Sequence, residues 1–235
     1  NPWNSCIVGV ADTTPDIFRC PSGDADTEFI NSTYTGGPLT KGNYAGCWGA
    51  GNYNNTADDS GGTTNSVTTA STHDGVFFEY KHSKTGTSGT TSQGKWKMSS
   101  RNGTTFADMA LDGTSKTMVI SEVLTTISTD DNRGAWYFGG MGGASFTAKF
   151  TPNDFAIADK IVGCGPGLNT DCVAETTNEA NTFAIARSKH GSGVVVGFGD
   201  AHVSFIPDAV DLAVWQAMAT KQGPSNEVEV NLEDL

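Results

Sequence analysis

Apolar and polar positions alternate cleanly only in the last third of the chain. Val194, Val196 and Phe198 share one face of a strand over 194–198, and 201–206 returns as its hairpin partner about Gly199-Asp200. The period then changes. Val210, Ala213, Val214, Ala217 and Met218 recur at i, i+3, i+4, i+7 and i+8, which predicts an amphipathic helix capped by Asp208 and stopped at Gly223-Pro224. Further strands are predicted over 75–80 (GVFFEY), 95–99 (KWKMS), 116–124 (KTMVISEVL), 134–138 (GAWYF) and 182–188 (TFAIARS), with about one helical turn over 105–111. Before residue 75 the pattern dissolves. Isolated aromatics (Trp3, Phe18, Tyr34, Tyr44, Trp48, Tyr53) stand among Gly, Asn, Thr and Asp, which reads as loops and short strands draped over a core.

These elements predict one α+β domain over 1–235, built on a mostly antiparallel sheet with long loops. Residues 1–74 are its loop-rich part, 75–206 its β-rich core, and 207–235 a helix with an acidic tail that frays or adds an edge strand.

Composition narrows the function classes. With 14 Lys+Arg against 26 Asp+Glu the formal charge is −12, which repels phosphate backbones and excludes nucleic acid as a partner. No apolar run reaches the roughly 18 residues that a membrane span needs. The start lacks an initiator Met and a leader, so residue 1 reads as a processing site or a boundary. No HExxH, GxxxxGK[ST] or GxSxG motif is present, so zincin, P-loop and α/β-hydrolase readings have no support.

The five cysteines show no CxxC and no Cys/His spacing of the zinc-finger kind, so chelation by them is not expected. Cys164 and Cys172, and Cys6 and Cys20, each bracket a short loop that a disulfide would close in an oxidising compartment, leaving Cys47 over. Oxygen-rich loops at Asp24/Asp26/Glu28, Asp58/Asp59 and Asp130/Asp131 are the candidate Ca²⁺ ligands. Trp48 and Trp136 are the candidate stacking platform for a glycan.

The segment 187–206, RSKHGSGVVVGFGDAHVSFI, resembles the C-terminal signature of the DUF1559 family, a His followed by nine residues and Asp-Gly, carried here by His190 and Asp200. PWNS at 2–5, FRCPS at 18–22, NYAG at 43–46, DGTSKTMVISE at 112–122, RGAW at 133–136, TPN at 151–153 and the DAVDLAVWQAM helix match in order. Where the family has Gly this chain has Ala201, which shifts the expected hairpin turn to a type II′ turn on Gly199-Asp200.

The resemblance implies a pilin-like head, exported to the cell surface. Its prepilin-type N-terminal helix would lie upstream of Asn1, supply both membrane attachment and the filament core, and mediate self-association. His190 is expected to reach Asp200 and pin the hairpin, and Glu122 to pair with Arg133 or Arg187. The expected function is a non-enzymatic subunit of a surface filament or secretion-related assembly. The alternatives are an extracellular solute- or glycan-binding module and a surface hydrolase built on His190 and Asp200.

Overall fold

A computed structural model describes residues 13–23, 28–30, 37–52, 75–77, 104–138, 140–165, 172–175 and 181–221. The predicted strand over 95–99, the Gly223-Pro224 stop and the acidic tail lie outside the described residues. So do Cys6, Asp24 and Asp26.

The fold is α+β and mostly sheet. After a 3-10 turn at Asp16–Phe18 come β1 (Glu28–Phe29), β2 (Leu39–Thr40) and β3 (Tyr44–Cys47). There follow α1 (Phe106–Met109), β4 (Met118–Glu122), β5 (Ser145–Phe146), β6 (Asp159–Ile161), β7 (Cys172–Ala174), β8 (Gly193–Phe198), β9 (Val203–Pro207) and α2 (Leu212–Met218). The central sheet has the order β5-β3-β4-β8-β9, antiparallel except where β3 meets β5. Two-stranded pairs β1-β2 and β6-β7 flank it.

Alternation explains the layering. Val194, Val196 and Phe198 point to one side of β8, where Ala45, Cys47, Met118, Phe146 and Ile206 join Trp215 and Met218 of α2 in the main core. The register shifts between Met118 and Ile120, so Met118 and Val123 both reach that core although five residues apart. Tyr44, Ile120 and Glu122 therefore take the opposite face. The loop-rich first third contributes β3, the strand between β5 and β4.

Four expected elements differ. The helix cap is Asp211, which accepts from the amides of Ala213 (2.8 Å) and Val214 (3.3 Å). Asp208 is not the cap, because its carboxylate accepts from Asn153 Nδ2 at 2.8 Å, so α2 begins later and has seven residues. The segment 134–138 is a run of turns with one bridge, Lys41 to Ala135, since Gly134 sits at φ +74° and breaks the extended backbone. At 75–77 the chain turns, and the remainder of the strand predicted over 75–80 lies outside the described residues. Residues 182–188 bond to several partners in turn, forming isolated bridges Lys160–Phe183 and Thr147–Ile185 and no ladder.

The β8-β9 turn also corrects the type II′ expectation. The Ala201 amide donates to Phe198 O at 2.9 Å and the Phe198 amide to His202 O at 3.0 Å, with Ala201 at φ +71°. This is a three-residue loop, a type I turn followed by a left-handed residue, and Gly199 has no positive φ. The strained position is the one where the family carries Gly. Ala201→Gly is expected to stabilise the protein by about 1 kcal/mol, read as a higher urea midpoint with an unchanged m-value. An unchanged midpoint would contradict this turn.

Candidate functional site

Three chemically active side chains meet on the sheet face opposite α2. Glu122 ends β4, His190 lies on the loop entering β8, and Cys20 follows the 3-10 turn. The Cys20 amide donates to Asn43 Oδ1 (3.0 Å), anchoring its loop beside β3. The His190 amide donates to Ser188 Oγ (3.1 Å), whose hydroxyl donates to Gly193 O (2.7 Å) and whose own amide is held by Asn153 Oδ1 (2.8 Å). Asn153, at φ +51°, thereby ties the loop to the start of β8. Glu122 is 2% exposed, and its Oε2 accepts from the Val195 amide at 2.8 Å.

The geometry centres on one ring nitrogen. His190 Nε2 lies 3.1 Å from Glu122 Oε1 and 3.4 Å from Cys20 Sγ. A Cys-His-acid relay requires the thiol and the carboxylate on opposite ring nitrogens, so that the acid orients the base. Here both address Nε2, which does not build a relay. What the trio presents is a soft sulfur, an imidazole nitrogen and a carboxylate oxygen, all within 4.8 Å of one another. Tyr44 pairs with Glu122 across β3-β4, and burial first, then the nearby Cys20 and Glu122, raise its phenol pKa. His190 and Cys20 are partly exposed, which leaves the trio open to solvent on one side.

Several expected pairings are replaced. His190 and Asp200 lie at opposite ends of β8, whose six residues span about 20 Å, so His190 does not pin the hairpin and the two cannot form one catalytic site. Asp200 instead binds His202, with Oδ1 at 2.6 Å from Nδ1 and 3.0 Å from its amide. Those contacts, the amide first, hold its carboxyl below the ordinary range. Glu122 pairs with neither Arg133 nor Arg187. Both guanidiniums converge on Asp159, and Arg133 also grips Asp131 at 2.6 Å.

That grip removes Asp131 from the Ca²⁺ candidates. Its fully buried carboxylate is neutralised by Arg133, and Asp130 beside it is exposed. Cys164 and Cys172 form the expected disulfide. Cys20 is a free thiol beside His190, and its expected partner Cys6 lies outside the described residues. Trp48 is buried at 7% exposure. Trp136 is half-buried, stacking on Phe18 (4.9 Å between ring centres) and lying against Tyr137 (3.7 Å).

Local spacing missed the trio because its members lie 68 and 170 positions apart. The signal available was that Cys20, Glu122 and His190 each fall inside a motif block: FRCPS, DGTSKTMVISE and the 187–206 signature. Asp159 falls in none. A family described as a protein of unknown function (DUF1559) matches residues 7–213. No curated protein and no solved structure matches the chain.

Proposed function

Because the chain belongs to the DUF1559 family, we propose that it is a non-enzymatic structural protein: the pilin-like head of a subunit that is displayed at the cell surface and assembles with copies of itself. One observation carries this reading, the uncovered apolar face of the central sheet. Ile120 (37% exposed), Val203 (66%) and Phe205 (49%) stand on it side by side through the pairs Ile120–Gly197–Val203 and Val195–Phe205.

Glycines shape this surface. A Cβ at Gly193 would meet the Phe205 ring at 2.5 Å, one at Gly197 would meet Ile120 at 2.8 Å, and one at Gly46 would meet Phe77 at 2.6 Å. The apolar side chains therefore lie flat across the backbone, giving a smooth surface suited to packing against protein. β9 is also the edge strand of the sheet, and Pro207 at its end limits open-ended pairing there. The Cys164–Cys172 disulfide accords with an oxidising, extracellular setting.

Phe205→Lys places a charge in the middle of this face at an exposed site, so the variant is expected to fold normally while self-association weakens at least tenfold. Sedimentation velocity over a concentration series reads this directly. Wild-type association that persists unchanged in Phe205→Lys would overturn the assignment of this face.

A further inference from the structure

The second surface feature goes beyond a structural role. We infer that Cys20, Glu122 and His190 form a zinc-binding site, taking one Zn²⁺ through Sγ, a carboxylate oxygen and Nε2. Zinc is four-coordinate in proteins, with bonds of about 2.3 Å to sulfur, 2.0–2.1 Å to imidazole and 2.0–2.2 Å to carboxylate. A tetrahedron with those bonds separates sulfur from nitrogen by about 3.6 Å and nitrogen from oxygen by about 3.4 Å. The protein already holds the corresponding atoms at 3.4 Å and 3.1 Å, so an ion enters with shifts of a few tenths of an ångström on those two edges. The sulfur–oxygen edge lies within 4.8 Å and closes by rotation of the half-buried cysteine.

The donors identify the ion. Calcium and magnesium take oxygen ligands, whereas a thiolate and an imidazole select a borderline-soft cation. The surroundings supply the remaining requirements of a metal site. Glu122 is oriented by the Val195 amide, the Cys20 loop is anchored through Asn43, and the His190 loop is fixed through Ser188 and Asn153. The partial exposure of His190 and Cys20 gives an entry path and leaves the fourth position for water. Once bound, the ion joins three remote parts of the chain: the loop at Cys20, the end of β4 and the approach to β8. The other described free cysteine, Cys47, is fully buried with its thiol directed at Ala219 O, and so cannot share the ion.

The test uses the full chain, reduced under conditions that leave Cys164–Cys172 intact, titrated with Zn²⁺ and separately with Co²⁺ as a spectroscopic substitute. One equivalent of zinc is expected to bind and raise the melting temperature, and cobalt is expected to show a thiolate charge-transfer band. Cys20→Ser should abolish the band and weaken zinc binding about 100-fold or more. Glu122→Gln is the second variant, since its amide oxygen still accepts from the Val195 amide. It should keep the fold and the band while losing zinc affinity. Zinc that binds below one equivalent, or a cobalt band that survives in Cys20→Ser, overturns the site. These readouts are independent of self-association, so failure of one proposal leaves the other standing.

Discussion

Asp159→Ala is expected to destabilise the protein by about 3–5 kcal/mol, the cost of leaving buried charge without its partner. Asp159 is fully buried and accepts from Arg133 Nη1 (3.1 Å), Arg187 Nε (3.3 Å) and the Ile185 amide (2.9 Å). Burial pushes its carboxyl pKa up, while Arg187, then Arg133, then the amide pull it back. Two carboxylates and two guanidiniums make the cluster neutral. Without Asp159, Arg133 keeps Asp131, but Arg187 keeps the carbonyls of Asp154 and Ile157 and the Phe155 ring, with no carboxylate among these partners.

Removing both charges separates desolvation from packing. The double variant Asp159→Leu with Arg187→Met should lie closer to wild type than Asp159→Ala does, because no unpaired charge stays inside. Urea unfolding of the single and double variants reads both values. A loss below about 1 kcal/mol for Asp159→Ala would show that this network does not hold the loops together.

The second large effect is a pH profile with two opposed slopes. Burial, partly offset by Asp131, lowers the Lys41 pKa from 10.5 to about 8. Its ammonium donates to the carbonyls of Thr126 and Ser128. Between pH 8 and 10.5 the unfolded chain holds a proton that the folded protein lacks, so stability rises with pH, by about 3 kcal/mol in all if acting alone. Cys47 works the other way. Burial raises its thiol from 9.0 to about 12, so from pH 9 upward the folded protein keeps a proton that the unfolded chain has lost, and stability falls.

Together they predict a rise from pH 8 to 9, a near-plateau to about 10, and a decline above 10.5 to which the raised Tyr44 phenol adds. Cys47→Ala should lower stability overall yet convert the plateau into a continued rise. Denaturant unfolding at pH 8, 9 and 10.5 measures this, and parallel profiles for the two proteins would contradict it.

What could be read from sequence follows from where the physics is local. β4, the β8-β9 hairpin and α2 were visible because one buried face imposes its own period on consecutive residues, as Val194, Val196 and Phe198 do. The α1 turn was visible as well, and its Thr105–Asp108 capping box explains why so short a helix starts where it does. GAWYF at 134–138 has strand composition, yet Gly134 bends it and Trp136 and Tyr137 pack against each other instead of across a ladder. At 182–188 the backbone hydrogen bonds go to Lys160, Thr147 and Glu122 in turn, a pattern that only the tertiary fold specifies.

The site was less legible for the same reason. A disulfide across eight residues is a local loop closure and was foreseen for Cys164 and Cys172. The motif singles out His190, but sequence proximity points it to Asp200, which the strand between them carries to the far end of the sheet. Likewise the arginines expected for Glu122 pair with Asp159, a residue with no motif around it. Opposite charges in a sequence indicate that pairs will form, and the strand register decides which.

Whether this head belongs to an assembling surface protein is tested most directly by negative-stain electron microscopy of the natively isolated protein, with peptide mapping of its N-terminus. Regular filaments whose subunits contain this domain are expected. Discrete monomeric particles at all concentrations would contradict an assembling role.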